Sequence, residues 1–185
     1  MLGKGLDLPK LTTLGIVLAD TSLSLPDFSA GERTYQQLSQ VLGRIGRGHG
    51  DGSQAPQAYV QTYQPDNAIL RAALQRDWDS FYTAELDGRR KFGFPPFYHL
   101  LKISCRRAST ATAEKAVNDF AVELNKLGLP IIIDGPAPAF HEKVAGKYSW
   151  QLVIKAKQRS HLLAVVKQLP TTAGWSFDLD PGDLL

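Results

Sequence analysis

The spacing of apolar residues divides the first third of the chain into two strand-like segments separated by a helix-like one. Residues 11–19 form an apolar run rich in β-branched side chains, which is typical of a parallel strand buried on both faces. Residues 32–46 carry apolar side chains at helical spacing, and Ser29 with Glu32 has the spacing of a capping box at the start of that helix. Residues 58–63 predict a second strand, so we expect a parallel βαβ unit here.

Two short helices and a proline-rich turn follow. Residues 67–75 and 78–91 predict the helices, and Gly93-Phe94-Pro95-Pro96 interrupts the pattern. Beyond it, strand-like and helix-like segments come in the order βαββαβ, which predicts a ferredoxin-like sandwich. These six segments are residues 97–105, 113–127, 129–133, 148–156, 162–169 and 175–179. Gly135-Pro136-Ala137-Pro138 is expected to be a rigid loop.

Composition narrows the class of protein. Hydrophobic residues make up 43% of the 185 residues, which is enough for a globular core. The single cysteine, Cys105, excludes an internal disulfide framework and a cysteine-clustered zinc site, so we expect an intracellular, cytoplasmic protein without a structural metal. Its apolar surroundings favour a buried structural cysteine over a reactive thiol. No apolar run approaches the roughly 20 residues of a membrane span.

Charge is unevenly distributed along the chain. Residues 1–90 carry nine Lys/Arg and ten Asp/Glu, a net charge of −1, whereas residues 91–185 carry twelve and eight, a net charge of +4. A basic domain favours contact with nucleic acid, although an ordinary solvated surface explains the same excess. The residues predicted to contact phosphates are Lys102, Arg106, Arg107, Lys155, Lys157 and Arg159. Tyr98 or His99 would stack on unpaired bases; taken singly, each of these residues is also explained as ordinary surface.

The segment Gln40-Val41-Leu42-Gly43-Arg44-Ile45-Gly46-Arg47 has the arrangement of an arginine-finger motif. Guanidinium groups match the oxygens of a transferring phosphoryl group bidentately, and Arg44 and Arg47 would share one helical face. Gln40 lies one helical turn before Arg44, and Gly43 and Gly46 permit close approach of a phosphate or of another backbone. A basic helix end that favours the helix dipole explains the same residues without a nucleotide, and this segment alone does not decide between the two.

The strand predicted over residues 148–156 offers another candidate site. Side chains alternate between its two faces. The core face is expected to hold Tyr148, Trp150, Leu152 and Ile154, and the exposed face Lys147, Ser149, Gln151, Val153 and Lys155. Lys147 and Gln151 would then lie about 13 Å apart at about 3.3 Å per residue, a reach suited to an extended acidic peptide. Solvated strand residues are the alternative interpretation.

Several short strings carry a family resemblance over nearly the whole chain. Residues 1–9 have the pattern of a helicase motif V, and residues 40–47 have that of motif VI. Further strings are Pro26-Asp27-Phe28, Asp77-Trp78, Phe94-Pro95-Pro96-Phe97, Gly135-Pro136-Ala137-Pro138, Trp150-Gln151 and Trp175-Ser176-Phe177-Asp178-Leu179-Asp180-Pro181. Motif VI alone indicates only a superfamily 2 helicase. With the aromatic-proline hinge and the two tryptophan strings, the chain resembles the C-terminal part of the PriA family, the primosomal replication-restart DNA helicases also called primosomal protein N′.

The resemblance implies three parts and a division of roles. These parts are a partial RecA-like second helicase lobe over residues 1–65, a helical linker over 66–96 and a ferredoxin-like DNA- and partner-binding domain over 97–185. Arg44 and Arg47 would contact the γ-phosphate of ATP, and Gln40 would position the nucleotide or its attacking water. Coupling of the nucleotide cleft to DNA would fall to Lys4, Gly5, Asp7, Gly43 and Gly46, although an ordinary turn explains Lys4 equally well.

The resemblance also implies partners for the last domain. In the family, an arginine and a glutamine at the positions of Lys147 and Gln151 help hold the acidic C-terminal tail of single-strand-binding protein. Lys147 keeps the charge of that arginine but loses its bidentate geometry, so weaker tail binding is expected. Forked or single-stranded DNA and other primosome proteins are the remaining implied partners.

The family enzyme is an ATP-dependent 3′–5′ DNA helicase that recognises stalled forks and initiates primosome assembly, with ATP, Mg²⁺ and zinc as its cofactors. This sequence has no Gly-x-x-x-x-Gly-Lys-Ser/Thr phosphate loop, no acidic magnesium motif and no cysteines for the zinc module. We therefore expect Met1 to correspond to an interior methionine, the chain to be a fragment or a truncated gene product, and ATP not to be hydrolysed by it alone. One alternative is a non-enzymatic module that docks on DNA forks and single-strand-binding protein. Another superfamily 2 helicase is a weaker alternative, because the βαββαβ domain argues against it.

Overall fold

The structure is a computed structural model that describes residues 11–45 and 55–185. Five of the predicted functional residues lie outside the described residues, namely Lys4, Gly5, Asp7, Gly46 and Arg47. The described chain divides into two compact units. The first comprises residues up to 25 and residues 29–87, and the second comprises residues 26–28 and 88–185.

The first unit is built around a parallel βαβ arrangement. Its elements are β1 (Thr13–Ile16), a 3₁₀ helix (Ser22–Ser24), α1 (Ala30–Leu42), β2 (Gln57–Val60), α2 (Ala68–Gln75) and the first part of α3 (Trp78–Phe92). β1 and β2 pair in parallel, with Thr13 opposite Gln57 and Ile16 opposite Val60. This confirms the parallel unit predicted from the sequence.

The strand predicted over residues 11–19 is shorter and less covered than expected. β1 has four residues, of which only Leu14 is buried, and Val17 beyond its end is 73% exposed. Leu14 packs with Tyr35 and Leu38 of α1 on one side. Burial on both faces was wrong for the described part of the unit, because β1 has a helix layer on one face and β2 as its strand partner.

The start of α1 also differs from the sequence prediction. Ser29 is the N-cap residue of α1, but its side chain makes no capping hydrogen bond. The Ser29 side-chain bond of the predicted capping box is therefore absent, although the motif located the helix start. At the other end α1 finishes at Leu42 and Gly43 is its C-cap, so the helix does not extend to residue 46.

Side-chain caps define α2 and α3. The Asn67 side chain accepts a hydrogen bond from the Ile69 N–H at 3.0 Å, and Arg76, with a φ of 56°, ends α2 in the left-handed region. Asp77 Oδ1 then accepts from the Ser80 N–H at 3.0 Å at the start of α3. These are the local signals that separate two helices otherwise joined by a two-residue turn.

The second unit has the predicted βαββαβ order. Its elements after α3 are β3 (His99–Arg107), α4 (Thr110–Lys126), β4 (Ile132–Val144), β5 (Lys147–Ala156), α5 (Arg159–Val166) and β6 (Trp175–Leu179). The four strands lie in the order β4-β5-β3-β6, and every neighbouring pair is antiparallel. This is the strand order of a ferredoxin-like sheet and confirms the fold class.

The core of the second unit lies between one sheet face and the two helices. Alternate residues of the central strands are buried there, and α4 contributes one apolar stripe. The buried set is Leu101, Ile103, Cys105, Val117, Phe120, Ala121, Leu124, Leu152, Ile154, Ala156, Leu162 and Val165. Trp175 of β6 packs edge-on against Phe120, with ring centroids 5.1 Å apart.

The loop predicted at residues 135–138 lies inside the thirteen-residue strand β4. The pairing of β4 with β5 shifts register between Asp134 and Ala137 and again between Pro138 and Lys143. Gly135 adopts a φ of +99° within the first irregularity. An edge strand accommodates prolines at such bulges because no further strand requires their missing N–H groups.

The opposite sheet face is partly covered by segments distant in sequence. The Phe28 ring stacks on Phe94 at a centroid distance of 5.3 Å, and Asp27 Oδ1 accepts from the Leu184 N–H at 3.3 Å. On β5, Val153 and Lys155 are only 8% and 4% exposed. The expectation that this whole face of β5 is exposed was therefore wrong.

Candidate nucleic-acid and peptide interface

A basic cleft lies at one end of the central strand pair of the second unit. Because β3 and β5 are antiparallel, Arg107 at the end of β3 lies opposite Tyr148 at the start of β5. Arg106, Arg107 and Lys147 thereby line one cleft of about 440 Å³. Residues 172–174, just before β6, form its far wall. We call this the Arg106 cleft.

The guanidinium of Arg107 is held in place by the loop before β6. It donates to the Arg106 carbonyl at 2.9 Å and to the Ala173 carbonyl at 2.8 Å, and it lies 5.9 Å from the centroid of the Trp175 ring. The Arg106 N–H donates to the Gly174 carbonyl at 2.8 Å. The charge of this cleft is therefore partly pre-organised.

Lys147 and Gln151 occupy the same face of β5, but they are not equally accessible. Lys147 is exposed, whereas Gln151 is half-buried. Gln151 Oε1 is buried and has no hydrogen-bond partner among the described residues. Of this predicted pair, Lys147 is the residue that lies on the Arg106 cleft.

Lys155 was predicted to contact phosphate, but in the structure it is buried. Its ammonium lies 2.5 Å from Asp134 Oδ2, donates to the Phe92 carbonyl at 2.8 Å and sits 3.9 Å from the centroid of the Phe94 ring. With 4% of the residue exposed, the charge is satisfied internally. The prediction that Lys155 contacts phosphate was therefore wrong.

The remaining predicted phosphate contacts separate into two places. Lys102 is half-buried, and its ammonium donates to the backbone carbonyl of Leu185. Lys157 and Arg159 lie beyond the far end of β5, where Lys157 Nζ is 5.9 Å from the centroid of the Tyr98 ring. Arg159 is an exposed residue whose Nε lies 3.4 Å from Asp180 Oδ2.

The two residues predicted to stack on bases, Tyr98 and His99, differ in their contacts. His99 Nδ1 is 3.3 Å from Asp180 Oδ1, so its ring is engaged with a carboxylate. Tyr98 shares a cavity with Lys157. Tyr98 is therefore the better placed of the two for an unpaired base.

In the first unit, the described part of the motif VI segment, residues 40–45, comprises the end of α1 and the turn after it. Gln40 is exposed and lines a cavity of about 500 Å³ between the end of β1 and α1. Arg44 lies in the turn after Gly43, and its backbone N–H donates to the Val41 carbonyl at 3.2 Å. Because the helix has ended at Leu42, the prediction of a helical face that includes Arg44 was wrong.

One residue near this segment was missed by sequence reasoning. Arg76 Nη2 donates to the carbonyl of Leu42, the last residue of α1, at 3.4 Å. A cation at a helix C-terminus is favourable because the last carbonyls carry partial negative charge. No pattern in the sequence links these two residues, which are 34 positions apart.

Among the residues that the structure describes, two titratable groups have shifted pKa values. Burial raises the pKa of the Cys105 thiol above its ordinary value, against an opposing effect of the nearby Arg107 charge. Hydrogen bonds from the Ser80 side chain and backbone lower the pKa of Asp77.

In the described part of the chain, no group of three or more His, Cys, Asp and Glu side chains is arranged to hold a metal ion. Nor is any helix there long and apolar enough to cross a membrane.

Comparison with known proteins gives one family and a consistent set of relatives. The family model described as the primosomal protein N C-terminal domain matches residues 90–182. A replication restart protein PriA of Synechocystis sp. is 35% identical over 187 residues, covering 98% of this chain and 22% of the relative. The PriA proteins of Bacillus subtilis and Rickettsia conorii are 34% and 33% identical, covering 91% and 96% of this chain. The chain spans 21% and 28% of the length of those two relatives.

Proposed function

The chain belongs to the primosomal protein N C-terminal domain family, and from this membership we propose that it is the C-terminal part of a replication restart protein that binds forked or single-stranded DNA. The Arg106 cleft is the observation that carries the proposal. It gathers three cations on an exposed surface, in the half of the chain with a net charge of +4. Phosphate contacts of this kind supply most of the sequence-independent affinity for DNA.

Charge reversal in the Arg106 cleft tests this proposal. Fluorescence anisotropy with a labelled forked DNA compares the full chain with the double variant Arg106→Glu/Lys147→Glu. We expect binding to weaken at least tenfold and the dependence of log K on log salt to flatten, because each lost phosphate contact removes about 0.9 from the slope. The matched control is Lys126→Glu/Lys167→Glu, which makes the same charge change at exposed ends of α4 and α5. Equal weakening by both variants would mean that only net charge matters, and the cleft would not be the binding site.

We further propose that the first unit supplies the arginine side of a nucleotide cleft in the complete protein. Gln40 and Arg44 are the described residues that would face ATP, and Arg47 would act with them. Guanidinium groups there would bind and orient the terminal phosphate. ATP bound to the complete protein would supply the free energy for helicase movement. The described residues do not fit the zinc module of the family, since Cys105 is the single cysteine of the chain and is buried in the core.

A phosphate-release assay tests the nucleotide part. The isolated chain with single-stranded DNA and Mg²⁺·ATP is expected to release no phosphate above background, because its sequence contains neither the phosphate loop nor the magnesium motif. Turnover that disappears in Arg47→Ala would contradict this. An upstream reading frame that encodes a phosphate loop and paired cysteines would favour a helicase fragment. A promoter and ribosome-binding site directly before Met1 would favour a separate docking module.

The second candidate function is docking of the acidic C-terminal tail of single-strand-binding protein, alongside other primosome proteins. The exposure of Lys147 beside Arg106 and Arg107 favours it, because an extended acidic peptide needs clustered cations. Titration with a labelled tail peptide is expected to show weaker binding by Lys147→Glu. Lys147→Arg should bind more tightly because it restores a bidentate fork. If Lys147→Glu binds the tail peptide as tightly as the unaltered chain, the tail does not bind in the Arg106 cleft.

A further inference from the structure

A second cavity of the second unit lies at the opposite end of β3 and β5 from the Arg106 cleft. Its volume is about 380 Å³, within the roughly 300–1,000 Å³ of small-molecule pockets. Tyr98 precedes β3, residues 130–132 lead into β4, and Lys157, Gln158 and His161 come from the start of α5. We call it the Tyr98 pocket.

The walls of the Tyr98 pocket suit a flat, partly apolar ligand. Pro130, Ile131 and Ile132 provide an aliphatic side, and Ile132 is 44% exposed. The phenol ring of Tyr98 provides an aromatic surface on which another ring can stack. Apolar walls with a few convergent polar groups are the usual composition of a ligand pocket.

Its polar groups are not saturated by the described residues. His161 Nδ1 is buried and has no hydrogen-bond partner there. The Gln158 side chain occupies the N-cap position of α5 without making a capping bond. Buried polar atoms normally have partners, so a ligand with both donors and acceptors on its edge would satisfy this pocket better than a hydrocarbon would.

The mouth of the pocket carries a cation suited to a phosphate. Lys157 is exposed, with Nζ 5.9 Å from the centroid of the Tyr98 ring. Arg159 stands nearby but shares its charge with Asp180. Lys157 is therefore the cation available to an anion that accompanies the ring ligand.

We propose that the Tyr98 pocket captures one unpaired nucleobase of single-stranded DNA. The base stacks on Tyr98, its polar edge meets His161 and Gln158, and its phosphate pairs with Lys157. Stacking on an aromatic ring accepts any base, because every base has a π-face. This inference rests on the proposed function, that the second unit binds DNA. It adds a second binding site, at which part of the affinity for DNA comes from the base rather than from the phosphate backbone.

The test separates the base from its phosphate backbone. The probes are fluorescein-labelled dT12 and an otherwise identical 12-mer in which every base is replaced by an abasic tetrahydrofuran unit. The full chain is expected to bind dT12 roughly five- to 50-fold more tightly than the abasic strand, as stacking on one aromatic residue allows. Tyr98→Ala should lose that preference while keeping its affinity for the abasic strand, and Tyr98→Phe should retain the preference. Lys157→Gln should weaken both probes together, because it removes a phosphate contact.

Crosslinking gives a readout that does not depend on variants. A single 5-iododeoxyuridine in the 12-mer, irradiated with the unaltered chain, is expected to attach to the peptide that contains Tyr98. If Tyr98→Ala keeps the preference for dT12, or if the crosslink maps away from the pocket, the nucleobase site is wrong while DNA binding stands. If neither probe binds at any salt concentration, the proposed function and this inference both fall.

Discussion

Lys155 holds its ammonium group inside the second unit by three contacts of different kinds. The Asp134 carboxylate, the Phe92 carbonyl and the Phe94 ring surround it. A buried charge is tolerated when it is paired and hydrogen-bonded, because desolvation is otherwise costly. The side chain therefore fastens β5 to β4 and to the turn that follows α3.

Removal of this side chain should destabilise the protein. Lys155→Ala leaves the Phe92 carbonyl without its donor and opens a cavity under Phe94, so we expect a loss of about 2–3 kcal/mol in the free energy of unfolding. Lys167→Ala, at an exposed position, should change it by less than about 0.5 kcal/mol. Urea unfolding followed by tryptophan fluorescence measures both. Equal midpoints for the two variants would mean that the buried contacts contribute nothing.

Asp77 makes a pH-dependent contribution to the free energy of unfolding, and the direction of its pKa shift gives the sign. Its pKa is lowered in the folded state by Ser80, so protonation favours the unfolded chain and the contribution is present above the ordinary pKa of an aspartate. It is lost as the pH falls through the lowered value. The difference in melting temperature between the unaltered chain and Asp77→Ala should therefore be largest near pH 6 and shrink towards pH 2.5. A difference that grows on acidification would contradict this assignment.

At the residue scale, the sequence predicts which side chains share a strand face but not what covers that face. Alternation along residues 148–156 correctly assigns Leu152 and Ile154 to the core. It places Lys155 on the opposite face and does not show that Phe94 lies over it, with Phe28 stacked behind. Those contacts join residues far apart in the sequence, and no local periodicity reports them.

Among the elements, β6 depends on the close approach of its leading loop to β3. Gly174 has a φ of +93°, and a Cβ there would lie 2.5 Å from the Arg106 carbonyl oxygen and 2.5 Å from Arg107 Nη1. Glycine is therefore required both by its backbone conformation and by the space available.

Gly174→Ala should loosen the edge of the sheet. We expect a loss of about 1–3 kcal/mol of stability, from the strained φ and the displaced Arg106 carbonyl. The control Gly182→Ala introduces a Cβ that meets nothing within 4 Å and should be close to neutral. Thermal unfolding by circular dichroism gives the stability. Hydrogen exchange should show faster exchange of β6 amides in Gly174→Ala alone, and unchanged protection there would contradict the role of this glycine.

The two edge strands show why some elements are easier to predict than others. The limits predicted for β6, residues 175–179, agree with the structure, because apolar residues alternate there between clear loop signals. β4 extends eleven residues beyond its predicted end at 133, through Gly135, Pro136 and Pro138. These residues normally indicate a loop, and only pairing with β5 through two register shifts keeps them in the sheet.

For the whole molecule, the two units are expected to differ in resistance to proteolysis. The first unit has a two-stranded sheet in its described part, with Tyr59 62% exposed and Val17 73% exposed. The second has four strands under a helix layer. A sheet of only two strands has fewer strand partners and is less stable than a sheet of three or more. Limited trypsin digestion should therefore leave a fragment that contains residues 97–180 after residues 11–65 have been cut. Survival of the first unit alone would contradict this expectation.

Arg106 and Tyr98 lie at opposite ends of one strand pair, so the domain would be bivalent if both proposed sites bind DNA. The eight residue steps from Tyr98, just before β3, to Arg106 near its end place the two sites roughly 26 Å apart at about 3.3 Å per residue. This distance equals about eight base pairs at roughly 3.4 Å each. A longer DNA could engage both sites, and the second contact would then form at a high effective concentration.

Affinity measured against duplexes of 4 to 16 base pairs that carry a short single-stranded end should rise steeply near eight base pairs. A smooth increase with length would mean that the sites act independently. If both proposed sites bind DNA, the length of the strand pair would set the shortest fork arm that engages both of them.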